Sequence, residues 1–150
     1  MIESVQQQTY SNWELCIADG SVSDQVMQVI QAYTQADKRI IVKKLTKNKG
    51  IADNTNAAIA IASGEYIALL DHDDLLAPDA LFEVVRCVND NEKADVIYSD
   101  EDKITADSAR RFEPHFKTDF NIELLRSNNY ICHLFVVKMI DCRRDRWIPE

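Results

Sequence analysis

Asp71-His72-Asp73-Asp74 places three carboxylates within four consecutive positions. Like charges packed so closely repel one another unless a cation neutralises them, and hard oxygen donors suit magnesium, manganese or calcium. Two further acidic groups share the setting: Asp19, ahead of Gly20-Ser21, and Asp100-Glu101-Asp102. A divalent ion that also touches a diphosphate polarises its oxygens and stabilises the charge that develops as a nucleoside diphosphate departs. The chemistry implied is that of a leaving-group site. A plainer alternative is equally open from composition alone, because acids form turns readily and are favourable near the N-terminus of a following helix. His72, His115 and His133 share no ligand spacing, so packing or surface roles are the default, and His133 is the one to watch.

The acids must be held by something, and each group follows an apolar run. Residues 13–18 read as a strand ending at Asp19, with Val26, Val29, Ile30 and Tyr33 at helical spacing behind it. Residues 39–45 form a second β-rich run. Ile51, Thr55, Ala58, Ile59 and Ala62 then share a helical face that Gly64 is expected to close as a C-cap. Residues 66–70 are continuously apolar, as in a strand buried on both faces, and lead straight into the acids at 71–74. Pro78 opens a helix carrying Leu81, Val84, Val85 and Val88, and residues 96–99 read as a strand ending at Asp100. Strands alternating with helices predict an α/β fold with a mostly parallel sheet, whose ligands collect outside the carboxyl ends of the strands. Beyond Lys103 the alternation fades, leaving a short helix at 122–126 and an apolar strand at 134–137.

A chain of 150 residues with 46% hydrophobic content fits one domain with its own core. The net charge of −8 argues against nucleic acid or an anionic membrane as the main partner. Cys16, Cys87, Cys132 and Cys142 form no CxxC pair, so neither a zinc site nor a disulfide scaffold is favoured. No apolar run approaches the roughly 18 to 20 residues that span a bilayer. A cytoplasmic protein is expected, with at most peripheral attachment at the inner face of the membrane.

The set Asn48-Lys49-Gly50-Ile51, Asn56 and the run from Ala62-Ser63-Gly64-Glu65-Tyr66 through Asp71-His72-Asp73-Asp74 resembles the signature of family 2 glycosyltransferases with the GT-A fold, a Rossmann-like sheet flanked by helices. Trp13-Glu14-Leu15 and Ala18-Asp19-Gly20-Ser21 match the same family's opening. Tyr98-Ser99-Asp100-Glu101-Asp102-Lys103 and Asn129-Tyr130-Ile131-Cys132-His133-Leu134 resemble its surface-polysaccharide, rhamnosyltransferase-like branch. The resemblance covers residues 1–138 as a partial GT-A domain and leaves 139–150 as an arginine-rich, exposed tail.

The resemblance implies a nucleotide-sugar donor (UDP-, GDP- or dTDP-sugar), a glycan acceptor and Mg2+ or Mn2+ as cofactor. Residue by residue, it implies nucleotide contacts from Asp19, Asn48, Asn56 and Asp71, metal contacts from Asp73 first and Asp74 second, and donor-sugar or acceptor contacts from Asp100, Glu101, Asp102 and His133. It also implies single displacement with inversion at the anomeric carbon. The family's first strand has no counterpart here, which predicts an incomplete sheet with unpaired edges, filled by rearrangement, by a second copy or by a completing chain. No counterpart of the family's catalytic base follows Lys138, so weak or no turnover by the isolated chain is expected. Two competitors are weighed beside this: a non-catalytic remnant or assembly module of the same fold, and a haloacid dehalogenase-like phosphatase, which Asp74-Leu75 fits poorly because Gly-Thr would be expected there.

Overall fold

The computed structural model describes residues 1–140. The tail expected from residue 139 therefore falls, from residue 141 onward, outside the described residues. In chain order the elements are α1 (Ile2–Gln6), β1 (Leu15–Asp19), α2 (Asp24–Ala36), β2 (Ile40–Lys44), α3 (Ile51–Ile59), β3 (Tyr66–Leu69), α4 (Ala80–Asp90), β4 (Val96–Tyr98), β5 (Glu101–Ile104), β6 (Arg111–His115), α5 (Ile122–Ser127) and β7 (Phe135–Lys138). The α/β alternation read from the sequence is borne out up to β4.

β1 and β2 pair in parallel, Leu15 opposite Ile40 and Asp19 opposite Lys44. β7 lies between β3 and β4 and is antiparallel to both, so those two run parallel to one another with a reversed strand between them. The ladder breaks between these groups: β1 pairs with β2 and β3 with β7, and no described strand joins β1 to β3. The sheet is thus discontinuous among the described strands. Side chains take over part of the connection. The Glu14 carboxylate accepts from the backbone N–H groups of Ser63 and Gly64 and from the Ser63 hydroxyl, tying the start of β1 to the start of β3. Ile59 on α3 packs with Ile67, Val137 and Met139, so one helix contributes to the core beneath β3 and β7. Met139 is 6% exposed, and the packing thus continues past Lys138.

Three local expectations change. α3 ends at Ile59, with Ala60 as its cap, so Gly64 does not close the helix. Gly64 instead gives its N–H to Glu14, and a Cβ there would meet the Tyr66 carbonyl oxygen at 3.3 Å. Ile51, placed on the core face by periodicity, is 86% exposed because it sits in the first turn, directly after Gly50 at φ 99°. The region beyond Lys103 is more regular than its sequence suggests: β5 and β6 form an antiparallel hairpin.

α1 and the residues just after it fasten the segment that follows the acidic turn. Buried Gln8 donates to the Ala77 carbonyl at 2.7 Å and accepts from the Leu81 N–H at 2.9 Å, satisfying one of the unpaired donors at the start of α4. The Ser4 hydroxyl accepts from the Leu76 N–H, and the Thr9 N–H donates to the Pro78 carbonyl.

Candidate donor and metal site

The two halves of the candidate site lie at the carboxyl ends of different strand groups. On the first, Asp19 closes β1 with 4% exposure. Its carboxylate is already engaged, accepting from the Ser21 N–H and from Lys44 Nζ, each at 2.9 Å. Burial alone would raise its pKa, but these hydrogen bonds outweigh it and the carboxyl lies below its ordinary value. Asn48 and Asn54 close over Gly20: a Cβ there would meet Asn54 Nδ2 at 3.2 Å and the Asn48 backbone at 3.3 Å. Asn54 Nδ2 donates to Asn48 Oδ1 at 2.9 Å, while Asn54 Oδ1 is buried without a partner.

Sequence reading singled out Asn56 rather than Asn54. Two residues along a helix turn the side chain by about 200°, so Asn56 faces away from this pair. A hollow of about 300 Å³ beside it is lined by Lys43, Lys44, Lys47 and Lys49 together with Asp53 and Asn54. Of the four lysines around this hollow, Lys44 is paired with Asp19 and Lys49 lies 3.8 Å from Asp53, and with Lys43 and Lys47 they make a locally basic surface in a chain of net charge −8.

On the second group, the acids at 71–74 form a turn after β3, closed by the Asp74 N–H on the Asp71 carbonyl at 3.2 Å. Asp71 Oδ2 stands 3.4 Å and Asp74 Oδ2 3.7 Å from His133 Nε2. Asp73 points elsewhere: its side chain is 78% exposed and one of its carboxylate oxygens lies 3.9 Å from His72 Nδ1. The turn therefore brings Asp71 and Asp74 together around His133 and leaves Asp73, expected as the first metal ligand, in solvent. Burial, joined by the charges of Asp73, Asp71 and Glu101, raises the Asp74 pKa above its ordinary value, with His133 opposing.

These residues fit a divalent ion. One donor atom each from Asp71, Asp74 and His133 lies within 4.8 Å of the others. Asp74 Oδ2 and His133 Nδ1 are buried with no hydrogen-bond partner, and a desolvated carboxylate oxygen without a donor is costly. Two carboxylates and one imidazole are a donor set that divalent ions of the Mn2+ kind accept.

The group at 100–102 divides. Asp100 accepts from the Lys117 N–H at 2.7 Å, and Asp102 turns to Arg111 across the hairpin at 3.1 Å, away from the acidic turn. Glu101 points inward, accepting from the His133 N–H at 3.1 Å, from Lys117 Nζ at 3.2 Å and facing His115 Nδ1 at 3.3 Å. Lys117 was not visible in the sequence as a site residue. Its side chain is 1% exposed, and it also donates to the carbonyls of Ile131, at 2.6 Å, and of His133. Buried Lys117 and half-buried Glu101 thus hold the backbone on either side of the His133 side chain.

Burial raises the Glu101 pKa, but the bonds from His115, the His133 N–H and Lys117 outweigh it and the net shift is downward. Asp19 and Glu101, lowered from 3.8 and 4.5, contribute stability that is present in full above those values and is lost as pH falls through the lower folded values. Urea unfolding at a series of pH values should therefore show the contribution of these two groups draining away below about pH 4.5, with a shallower slope for Glu101→Gln.

The sequence model described as "Glycosyl transferase family 2" matches residues 1–144. The chain belongs to this family. It is 49% identical over 137 residues to the "Uncharacterized protein y4gI" of Sinorhizobium fredii, covering 91% of this chain and 15% of that protein. It is 31% identical over 138 residues to the "O-antigen biosynthesis protein RfbC" of Myxococcus xanthus, covering 91% of this chain and 11% of that one. A crystal structure of S. aureus TarS 1-349 in complex with UDP superposes with a TM-score of 0.73 at 18% identity, over 95% of this chain and 43% of the other. That likeness bears out the GT-A architecture. The family 2 glycosyltransferase chain described here spans only a small part of the curated relatives it matches. Among its described residues no helix is long and apolar enough to cross a membrane.

Proposed function

We propose that this domain binds a nucleotide sugar with a divalent cation, as the donor half of a transferase that passes a sugar to a polysaccharide or other glycan acceptor. The observation that carries it is the convergence of Asp71 and Asp74 on His133 at the carboxyl end of β3, with a buried carboxylate oxygen left unpartnered. Asp71 and Asp74 would hold the ion, Mg2+ or Mn2+, with Asp73 reaching it through water or by a change of rotamer, and the ion would supply positive charge opposite the departing diphosphate. The lysine hollow and Asn48 face the nucleotide, and Asp19 acts from behind Lys44 rather than by direct contact. Glu101 orders the segment on which the sugar rests, and Asp100 and Asp102 brace the hairpin beside it. Displacement with inversion belongs to the same proposal, as does a cytoplasmic location, in keeping with the unpaired Cys16, Cys87 and Cys132.

Titration calorimetry of UDP, GDP and dTDP into the chain, with manganese and with EDTA, tests this. Binding of one nucleotide in manganese and its loss in EDTA is the expected result. UDP is the first to try, because the TarS neighbour was crystallised with it. Transfer by the isolated chain should be weak or undetectable, since no described carboxylate is assigned to deprotonate an acceptor. The break between β1 and β3 favours one second reading, an assembly module that takes a completing strand at the open edges. Silence towards every nucleotide, with association that grows with concentration, would select it.

A further inference from the structure

Residues 116–121 cross from β6 to α5, and their backbone is fastened at three points. The Lys117 N–H donates to Asp100 at 2.7 Å, the Thr118 carbonyl accepts from the Tyr98 hydroxyl at 2.8 Å, and the Asn121 N–H donates to the Tyr130 hydroxyl at 3.0 Å. The Lys117 side chain adds a fourth tie, running inward to Glu101 and to the carbonyls of Ile131 and His133. A segment held in this way cannot fold its apolar side chains out of water. Phe116 is 76% exposed and Phe120 62%, with Ile122, two residues on, at 45%. Single apolar residues in water are ordinary, but two aromatics on one pinned segment form a contact surface.

Area and charge select what covers it. Two phenylalanines and an isoleucine offer roughly 300 to 400 Å², well short of the roughly 800 Å² per partner of a stable protein interface. Among the charged groups at 116–123, Asp119 is exposed, Glu123 answers Arg126, and Lys117 is buried, which leaves no net basic charge to hold an anionic bilayer. A sugar ring fits both limits. Its C–H face lies on an aromatic ring, while its hydroxyls need polar partners, and Thr118 and Asp119, both exposed, stand between the two rings in the chain. The segment is also joined to the candidate site, because Lys117 binds Glu101 and the His133 carbonyl, and His133 Nε2 stands 3.4 Å from Asp71.

We propose that Phe116 and Phe120, with Thr118 and Asp119, form a stacking subsite for an uncharged pyranose of the glycan acceptor. This rests on the reading of the chain as the donor half of a transferase acting on glycans. The pinned segment presents the rings in advance, so little side-chain freedom is lost when a sugar settles on them.

The test is saturation-transfer NMR on the full chain, irradiating aromatic protons, with maltotriose, cellotriose and triacetylchitotriose as probes and a parallel titration of UDP with manganese. Transfer to the ring C–H protons of at least one trisaccharide is the expected result. Phe116→Ala and Phe120→Ala should each weaken that binding about tenfold, and their urea midpoints should stay unchanged because both rings are exposed. Transfer to none of the probes, or transfer that survives the double variant, would overturn the subsite, and UDP binding in the same sample would leave the donor reading standing. Trisaccharide binding without UDP binding would keep the subsite and overturn the donor reading. Sedimentation of the chain alone and flotation with phosphatidylglycerol vesicles address the other occupants. Association or flotation lost in the double variant, with no trisaccharide bound, would overturn the proposal in favour of a second copy or a membrane.

Discussion

Asp74→Asn should lower manganese-dependent nucleotide affinity by about a hundredfold or more while raising the unfolding midpoint of the metal-free chain. The two effects have opposite signs for one reason. Asp74 is half-buried among Asp71, Asp73 and Glu101, and its pKa is raised, so at neutral pH its charge opposes folding. An asparagine of the same shape removes that cost along with the anionic ligand. Asp73→Asn, in a side chain 78% exposed, should weaken nucleotide binding only severalfold and leave the midpoint where it was. Paired calorimetry and urea titrations check both. If Asp73→Asn proves the more damaging to binding, the turn rearranges when the ion enters and the geometry described for Asp71 and Asp74 is not the bound one.

Lys117→Met carries the largest expected loss of stability. The methionine keeps the apolar stem, but it strands the carbonyls of Ile131 and His133 and leaves Glu101 without its buried cation. Removing one partner of a buried pair costs about 3 to 5 kcal/mol. Glu101, 29% exposed, keeps the His133 N–H and His115, so the lower end, about 3 kcal/mol, is expected. Denaturant unfolding measures it. The double variant Glu101→Gln with Lys117→Met should recover part of the loss, because no uncompensated charge remains. Equal losses in single and double variants would mean that the orphaned carbonyls, not the ion pair, set the cost.

Lys117 also shows where sequence reading stops. The strand at Tyr66–Leu69 was legible from a short, continuously apolar run leading into the acids, although Ala68 faces out. α4 and β4 followed from periodicity in the same way. Lys117 lies among polar residues after Pro114, and nothing in its neighbourhood marks it as buried. Its partner Glu101 is 16 positions away, across a hairpin whose strands are mostly charged and lack the alternation that identifies a strand. The family resemblance points to Asn56, whereas the open face of Gly20 lets Asn54 approach the end of β1. The family resemblance implies Asp73 as the first metal ligand, from its place in the motif. The tightness of the turn, with Asp74 bonded back to Asp71, instead carries the first and fourth residues to the same side.

The missing ladder between β1 and β3 bears on how the domain comes apart. A sheet joined throughout by backbone hydrogen bonds melts as a unit, whereas two strand groups tied by Glu14, α3 and the α1 stitches can open in separate steps. The lysine hollow rides on one group and the acidic turn on the other. A ligand gripping both would supply the connection that the backbone lacks. Slowed amide exchange would then reach strands that never touch it, and occupancy of the site would be written into the cooperativity of unfolding itself.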